Sequence, residues 1–294
     1  MSSSPQPTPS MATAPLSPPA TPVTPAAPEA PEAVATPDAR ARTPLWPYTW
    51  GRAFRYLSLP FDLLYRIAVS RTIVLGREHL AEVPERAIFA GTHHSFADVP
   101  LIRRALKKIG QGRLSRRLVI AAKADGFGSA GWWGKYAILA LGLYPLRRDG
   151  EGRDSLRELA RLAELGNALL IFPQGKHVQP EQERAGDRAV RFRQGVVHLA
   201  TALDAPVVPF GVAGTEVVMP AFLDDFRGKV IAGIPVAFER GPLAIAFGAP
   251  LRREAGESPR AFAARLQEAS FALTRQAEAA LERVEARRRR RVAP

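Results

Sequence analysis

Apolar and polar positions follow two regular patterns along this chain. Uninterrupted apolar runs predict buried strands at 87–91, 118–122, 168–172, 206–212 and 243–247. Between them, apolar residues at helical spacing predict helices at 99–109, 154–165 and 195–203, and a long final helix opens with Ser258 as N-cap and Pro259 in its first turn. A further apolar element spans 138–146. This alternation predicts an α/β fold with a mainly parallel mixed sheet flanked by helices on both faces.

The first 45 residues show neither pattern. They hold 12 of the 27 prolines of the chain, mixed with Ala, Thr and Ser. Such a composition buries too little apolar surface to offset the entropy lost on ordering. Residues 1–45 are therefore predicted to form a disordered tail.

Residues 46–75 combine aromatic and basic side chains. The aromatic and apolar members include Trp46, Tyr48, Trp50, Phe54, Tyr56, Leu57, Phe61, Leu64, Tyr65 and Ile67, and the basic members are Arg52, Arg55, Arg66 and Arg71. We interpret this segment as amphipathic and helical, suited to the interface of an anionic membrane. A helix packed on the core is the alternative, and the two are compatible, since one face could serve each purpose.

Composition narrows the function classes. The 294 residues carry a net charge of +13, which favours anionic partners such as a membrane surface, a charged substrate or nucleic acid. The absence of cysteine excludes disulfides, thiolate nucleophiles and Cys-ligated metals. No apolar run approaches the roughly 18 to 20 residues of a spanning helix, and the first residues lack a secretory signal. We expect a cytoplasmic protein that associates peripherally with the inner face of a membrane.

The candidate chemistry follows the first predicted strand, at 91–100. His93 and Asp98 are five residues apart, so a tight turn could join carboxylate and imidazole and leave the other ring nitrogen as a general base. Alternatively, Asp98 could be only a first-turn acid that interacts favourably with the helix dipole. A metal site of His93, His94 and Asp98 is the rival, but no His-Glu-x-x-His pattern supports it. Ser95 lacks a nucleophile elbow and is expected to cap the next helix.

Four short motifs in fixed order resemble those of the glycerolipid (lysophospholipid) acyltransferase superfamily, over roughly residues 70–250. Thr92-His-His-Ser-Phe-Ala-Asp98 is similar to its Asn-His-x-Ser-x-x-Asp motif, with Thr for Asn. Residues 142–148 resemble its Gly-apolar-Arg motif, 172–177 its Phe-Pro-Glu-Gly-Thr-Arg motif, and 206–210 its Val-Pro strand. An acyltransferase domain at 76–280 is therefore expected.

The resemblance implies roles for matching residues. His93 would be the general base and Asp98 would orient it, while Arg148, Gln174, Gly175, Lys176 and His177 would bind substrate. It implies no cofactor or metal, with acyl-coenzyme A or acyl-carrier protein as co-substrate and a lysophospholipid or related lipid as acceptor. Gln174 replaces the family's acid and Lys176-His177 its Thr-Arg, so another lysolipid, a glycolipid or a different alcohol remains open as acceptor.

Two basic clusters remain, one at 103–117 and one at 287–291 within a predicted basic C-terminal tail at 281–294. One interpretation is that both clusters are simply charged side chains exposed to solvent. The functional interpretation of both is attraction to anionic lipid headgroups, and the first cluster could also meet the phosphates of coenzyme A or an acidic carrier protein. The alternative to an enzyme is a non-catalytic protein that binds anionic membranes or nucleic acid, but the sequence lacks recognisable nucleic-acid-binding motifs.

Overall fold

The computed structural model of the chain describes part of its 294 residues. The described residues are 45–49, 58–123, 136, 139–146, 152–186, 190–220, 230–231, 234–235 and 239–292. The tail predicted at 1–45 lies outside them apart from its last residue, as do positions 50–57 of the aromatic segment.

A seven-stranded sheet forms the centre of the fold. Its strands are β1 (Val69–Leu75), β2 (Ile88–Gly91), β3 (Leu118–Lys123), β4 (Leu143–Leu146), β5 (Ala168–Ile171), β6 (Val207–Ala213) and β9 (Gly241–Phe247). They lie in the order β1-β9-β6-β2-β5-β3-β4, and a separate antiparallel pair joins β7 (Val230–Ile231) to β8 (Ile234–Pro235). Only the β6–β9 contact of the large sheet is antiparallel among the described strands, which confirms the predicted mainly parallel sheet.

Helices cover both faces of this sheet. They are α1 (Leu59–Ala68), α2 (Asp98–Lys108), α3 (Gly112–Arg117), α4 (Gly152–Glu164), α5 (Pro180–Arg184), α6 (Gly195–Ala202), α7 (Thr215–Val218) and α8 (Pro259–Val292). Side chains of β2 alternate between two cores: Phe89 packs with α1–α3, whereas Ile88 and Ala90 pack with α4, α6 and α8. Burial on both faces explains why the strands appear in the sequence as continuous apolar runs.

The N-terminal segment is only partly helical, which corrects the prediction for 46–75. A short 3₁₀ helix at Trp46–Tyr48 and α1 are followed directly by β1, because β-branched Val69, Ile73 and their neighbours pair in parallel with β9. The described side chains serve two surfaces. Tyr48 and Tyr65 are buried, whereas Leu63 and Ile67 of α1 are 60% and 54% exposed.

Most basic residues of the first cluster form hydrogen bonds or ion pairs within the fold. Arg103 is buried and donates to the carbonyl of the first residue of β3. Lys107 forms a 2.8 Å ion pair with an aspartate of α1, and Arg113 and Arg117 both contact Glu85. The second cluster lies within α8, which continues to Val292, so most of the segment predicted as a basic tail is helical. No helix among the described residues has the length and apolarity needed to cross a bilayer.

Candidate active site

The site begins where β2 ends. Gly91 allows the strand to approach β6 closely, because a Cβ at this position would lie 2.2 Å from the carbonyl oxygen of Phe210. Thr92 follows, buried, with its hydroxyl 3.1 Å from that of Thr274 on α8. The chain then turns through 93–97 into α2, and Asp98 enters the first turn of the helix, where the helix dipole favours a carboxylate.

The turn brings His93 and Asp98 together as the sequence predicts. His93 Nδ1 lies 2.8 Å from Asp98 Oδ2, which also accepts hydrogen bonds from the backbone N–H groups of His94 at 2.8 Å and Ser95 at 2.9 Å. Burial would raise the pKa of Asp98, but the hydrogen bond and positive potential of His93, with His94 and Thr215, outweigh it and lower the pKa. Asp98 is therefore a fixed anion beneath a ring that keeps 17% of its surface exposed.

Ser95 stabilises the turn. Its hydroxyl accepts a hydrogen bond from the backbone N–H of Ala97 at 3.0 Å and donates to the carbonyl of Met219. The N-cap residue of α2 is Ala97, whereas the sequence led us to expect Ser95. Ser95 lies two residues before the N-cap and stabilises the turn that leads into the helix. Nothing in this arrangement frees the hydroxyl as a nucleophile.

The third motif forms a tight turn after β5 that contacts the same loop. Gly175 adopts φ +71°, and its N–H donates to the carbonyl of Phe172 at 2.9 Å. Gln174 is 2% exposed, and its Oε1 accepts a hydrogen bond from the backbone N–H of His93 at 3.0 Å. Its Nε2 donates to Glu183 at 2.8 Å, so the amide bridges α5 and the loop that carries His93.

Glu183 and His94 form a buried pair behind the loop. His94 Nε2 lies 3.1 Å from Glu183 Oε1, and both side chains are at most 5% exposed. Burial opposes a charged His94, but the adjacent carboxylate of Glu183, with the charges of Asp98 and Glu216, outweighs it and raises the pKa of His94. Burial, helped by the charge of Asp98, raises the pKa of Glu216.

His177 contacts the ring of His93 and is uncharged. Its ring centroid lies 4.0 Å from that of His93, which stacks on Phe172 at 3.8 Å, and Phe96 completes the aromatic group at 4.7 Å from His177. Burial, followed by the positive potential of His93, lowers the pKa of His177 to about 3. His177 is therefore neutral where the family motif has a permanently charged arginine.

Cations reach this turn from other positions. A Cβ on Gly175 would lie 3.3 Å from the guanidinium carbon of Arg193, so that side chain lies directly beside the glycine. Lys176 and Arg193 are both exposed. Arg148 lies outside the described residues, and its predicted role stays a prediction. Within the part of the chain that the structure describes, no three His, Asp or Glu side chains converge as a metal site.

The structure brings the predicted residues His93, Asp98 and Gln174 together. Gln174, predicted to bind substrate, is instead buried between the backbone of His93 and Glu183. Sequence reasoning missed Glu183 and Arg193. The available signal for Glu183 was that Gln174 replaces the acid of the family motif. A buried amide needs an acceptor for its N–H group as well as a donor for its oxygen, and Glu183 is that acceptor. Arg193 gave no signal, since it lies 18 residues after the glycine that it contacts.

The chain is similar to known proteins. The family model described as Acyltransferase matches residues 71–213. The chain is 26% identical over 152 residues to the chloroplastic 1-acyl-sn-glycerol-3-phosphate acyltransferase of Brassica napus, an alignment that covers 51% of this chain and 39% of that relative. The chain thus spans well under half the length of the plant protein.

A solved structure shows the same fold. The 1-acyl-sn-glycerophosphate acyltransferase PlsC from Thermotoga maritima superimposes with a TM-score of 0.50 at 19% identity, covering 78% of this chain and 79% of that one. The family match contains both the His93–Asp98 turn and the Gln174–His177 turn. Residues 71–213 therefore match an acyltransferase family model, and the four motifs inside this range resemble those of the glycerolipid acyltransferase superfamily.

Proposed function

We propose that this protein transfers a fatty acyl group from the thioester of coenzyme A or acyl-carrier protein to a hydroxyl of a lysophospholipid or related lipid. The observation that carries the proposal is the 2.8 Å contact between His93 Nδ1 and Asp98 Oδ2. An anionic acceptor at Nδ1 holds the proton there and leaves Nε2 to take a proton from another group.

The reaction follows from that arrangement. His93 Nε2 removes the proton of the acceptor hydroxyl while its oxygen attacks the carbonyl carbon of the thioester. Asp98 stabilises the imidazolium that forms. When the carbon–sulfur bond breaks, the thiolate leaves and takes the proton from His93, so an ester and a free thiol are the products. No covalent acyl-enzyme is needed.

The acceptor that we propose to test first is 1-acyl-sn-glycerol 3-phosphate, the substrate after which both similar proteins are named. Lys176 and Arg193 are exposed cations beside the Gly175 turn and suit a phosphate. Arg148 is implied by the resemblance to contribute to the same group. Because His177 is neutral, the phosphate would depend on these other cations.

Peripheral membrane association is the second part of the proposal. Leu63 and Ile67 are one helical turn apart on α1 and exposed, and Arg66 lies between them in the sequence. The arginine tract at the end of α8 adds charge that anionic headgroups attract by about 1 kcal/mol per residue near the surface. A location at the cytoplasmic face of a membrane would bring this surface to its lipid substrates.

The test is release of coenzyme A thiol from oleoyl-coenzyme A in the presence of 1-acyl-sn-glycerol 3-phosphate. General-base catalysis contributes about 10²- to 10⁴-fold, so His93→Ala is expected to lose at least that factor. His198→Ala, at an exposed position of α6, is the matched control and keeps the rate. Equal rates for wild type and His93→Ala would remove the enzyme proposal, and a preference for monoacylglycerol would move the acceptor away from phosphate.

A further inference from the structure

The backbone of His93 is held on both sides by the segment that follows β5. Its N–H donates to Gln174 Oε1 at 3.0 Å, and its carbonyl accepts from the N–H of Val178 at 2.9 Å. Gln174 and Val178 are both buried. The position of the imidazole therefore depends on how firmly the Gln174 side chain is itself held.

Glu183 holds that side chain in one orientation. Gln174 Nε2 donates to Glu183 Oε1 at 2.8 Å, so the amide uses its acceptor toward His93 and its donor toward α5. A carboxylate at 174 could satisfy only the first contact, because it has no hydrogen to donate. It would also place two buried anions within hydrogen-bond distance of each other. Neither could move away, because residue 174 would lose the N–H of His93 and Glu183 would lose His94.

His94 completes the connection. Its side chain lies 3.1 Å from Glu183 Oε1, and its backbone N–H donates to Asp98 Oδ2 at 2.8 Å. The carboxylate at 183 thus contacts two residues that in turn hold the backbone of His93 and the carboxylate of Asp98. Gln174, Glu183 and His94 are each at most 8% exposed as whole residues, so water does not weaken the contacts between them.

We propose that Gln174, Glu183 and His94 are positioning residues for the His93–Asp98 pair, and that the amide at 174 is required by the carboxylate at 183. Where the family's third motif has an acid, this chain has Gln174, and the acid beside that position is Glu183, nine residues later. The inference rests on the proposed acyl transfer, and it adds Glu183, which lies outside the four motifs.

Exchange of the two functional groups tests the proposal. Gln174→Glu alone places acceptor against acceptor, and we expect kcat for thiol release to fall about 10- to 100-fold, with KM for both substrates within about twofold of wild type. The double variant Gln174→Glu with Glu183→Gln restores one donor and one acceptor, because the new amide at 183 donates to the new carboxylate. It is expected to return to within about threefold of the wild-type kcat.

Two further variants keep the outcome decisive. Gln174→Met removes both hydrogen bonds without adding charge, and is expected to lower kcat with KM unchanged even if Gln174→Glu does not fold. Gln276→Glu, at an exposed position of α8, makes the same chemical change away from the site and should leave activity unaltered. The imidazole Nδ1–H resonance of His93, identified by its loss in His93→Ala, should exchange faster with water in Gln174→Met, whatever the acceptor lipid.

The results separate this inference from the proposed function. If wild type turns over and His93→Ala does not, while Gln174→Met and Gln174→Glu match wild type in kcat, the positioning role is wrong and the enzyme stands. A double variant no faster than a folded Gln174→Glu also overturns the pairing. If wild type and His93→Ala are equally inactive, acyl transfer fails, and an unchanged Nδ1–H exchange rate in Gln174→Met would still reject the positioning role.

Discussion

Replacing Asp98 with asparagine keeps the size of the side chain and removes its charge. The oxygen that replaces Oδ2 can still face the three donors on His93, His94 and Ser95, which lie at 2.8 to 2.9 Å. Hydrogen bonds to a charged group are worth about 1.5–3 kcal/mol and neutral ones about 0.5–1.5 kcal/mol. Because burial of the charge offsets part of that difference, we expect the free energy of unfolding to fall by about 1–3 kcal/mol at pH 7.

Activity should respond far more strongly. Without the carboxylate, His93 loses both the acceptor that fixes the proton on Nδ1 and the charge that stabilises the imidazolium. We expect kcat to fall by about 10² to 10⁴ with little change in KM. Thiol release at saturating substrate measures this loss, and Asp204→Asn is the control, since its side chain is 95% exposed and a positive φ suits asparagine.

The pH dependence of the stability difference checks the cause. The pKa of Asp98 is lowered, so the unfolded chain takes up a proton at a higher pH than the folded protein does. The stability that the carboxylate contributes is present above the ordinary carboxyl pKa of about 3.9 and is lost as the pH falls through the lowered value. Urea unfolding of wild type and Asp98→Asn should therefore differ equally at pH 7 and 5 and converge below about pH 4. A variant with wild-type kcat, or a difference that grows on acidification, would refute the reasoning.

Three other changes have defined outcomes. Gly91→Ala should lower stability by about 1–3 kcal/mol and reduce kcat, since the added carbon meets a backbone oxygen at 2.2 Å; unchanged thermal unfolding would contradict this. His177→Gln should lose less stability than wild type between about pH 6.5 and 3, because the folded protein holds His177 neutral, with a pKa of about 3, where the unfolded chain is protonated. Equal urea midpoints for the two proteins across that range would count against it. Leu63→Ser with Ile67→Ser should reduce sedimentation with anionic vesicles by tenfold or more, because burying each apolar side chain in the bilayer contributes about 1.5–3 kcal/mol of binding free energy. Leu165→Ser, at another exposed position, should leave sedimentation unchanged. Full pelleting of the double variant would exclude α1 as the membrane contact.

Local pattern was sufficient to predict most of the sheet. Strands β2, β3, β5, β6 and β9 are buried on both faces, and each therefore appears as an uninterrupted apolar run. The pair His93 and Asp98 was also predictable, because only the six residues 92–97 separate the strand from the helix and they form a tight turn. These features depend on neighbours in sequence.

Other features depend on contacts between distant segments. Residues Ser70 and Arg71 of β1 are exposed, and aromatic and basic neighbours hid the strand, whose partner β9 lies about 170 residues later in the chain. Glu183 resembles an ordinary surface acid in its short helix until the fold places Gln174 and His94 beside it. Periodicity along the chain carries no information about such contacts.

The hydrogen bond between Thr92 and Thr274 has a consequence for synthesis of the protein. The two hydroxyls are separated by 182 residues, and the backbone of Thr274 also packs where a Cβ of Gly211 would otherwise lie. A nascent chain cannot close the strand end that precedes His93 until this part of α8 has left the ribosome. A stop codon ahead of position 274 should therefore yield an insoluble product rather than a shorter enzyme.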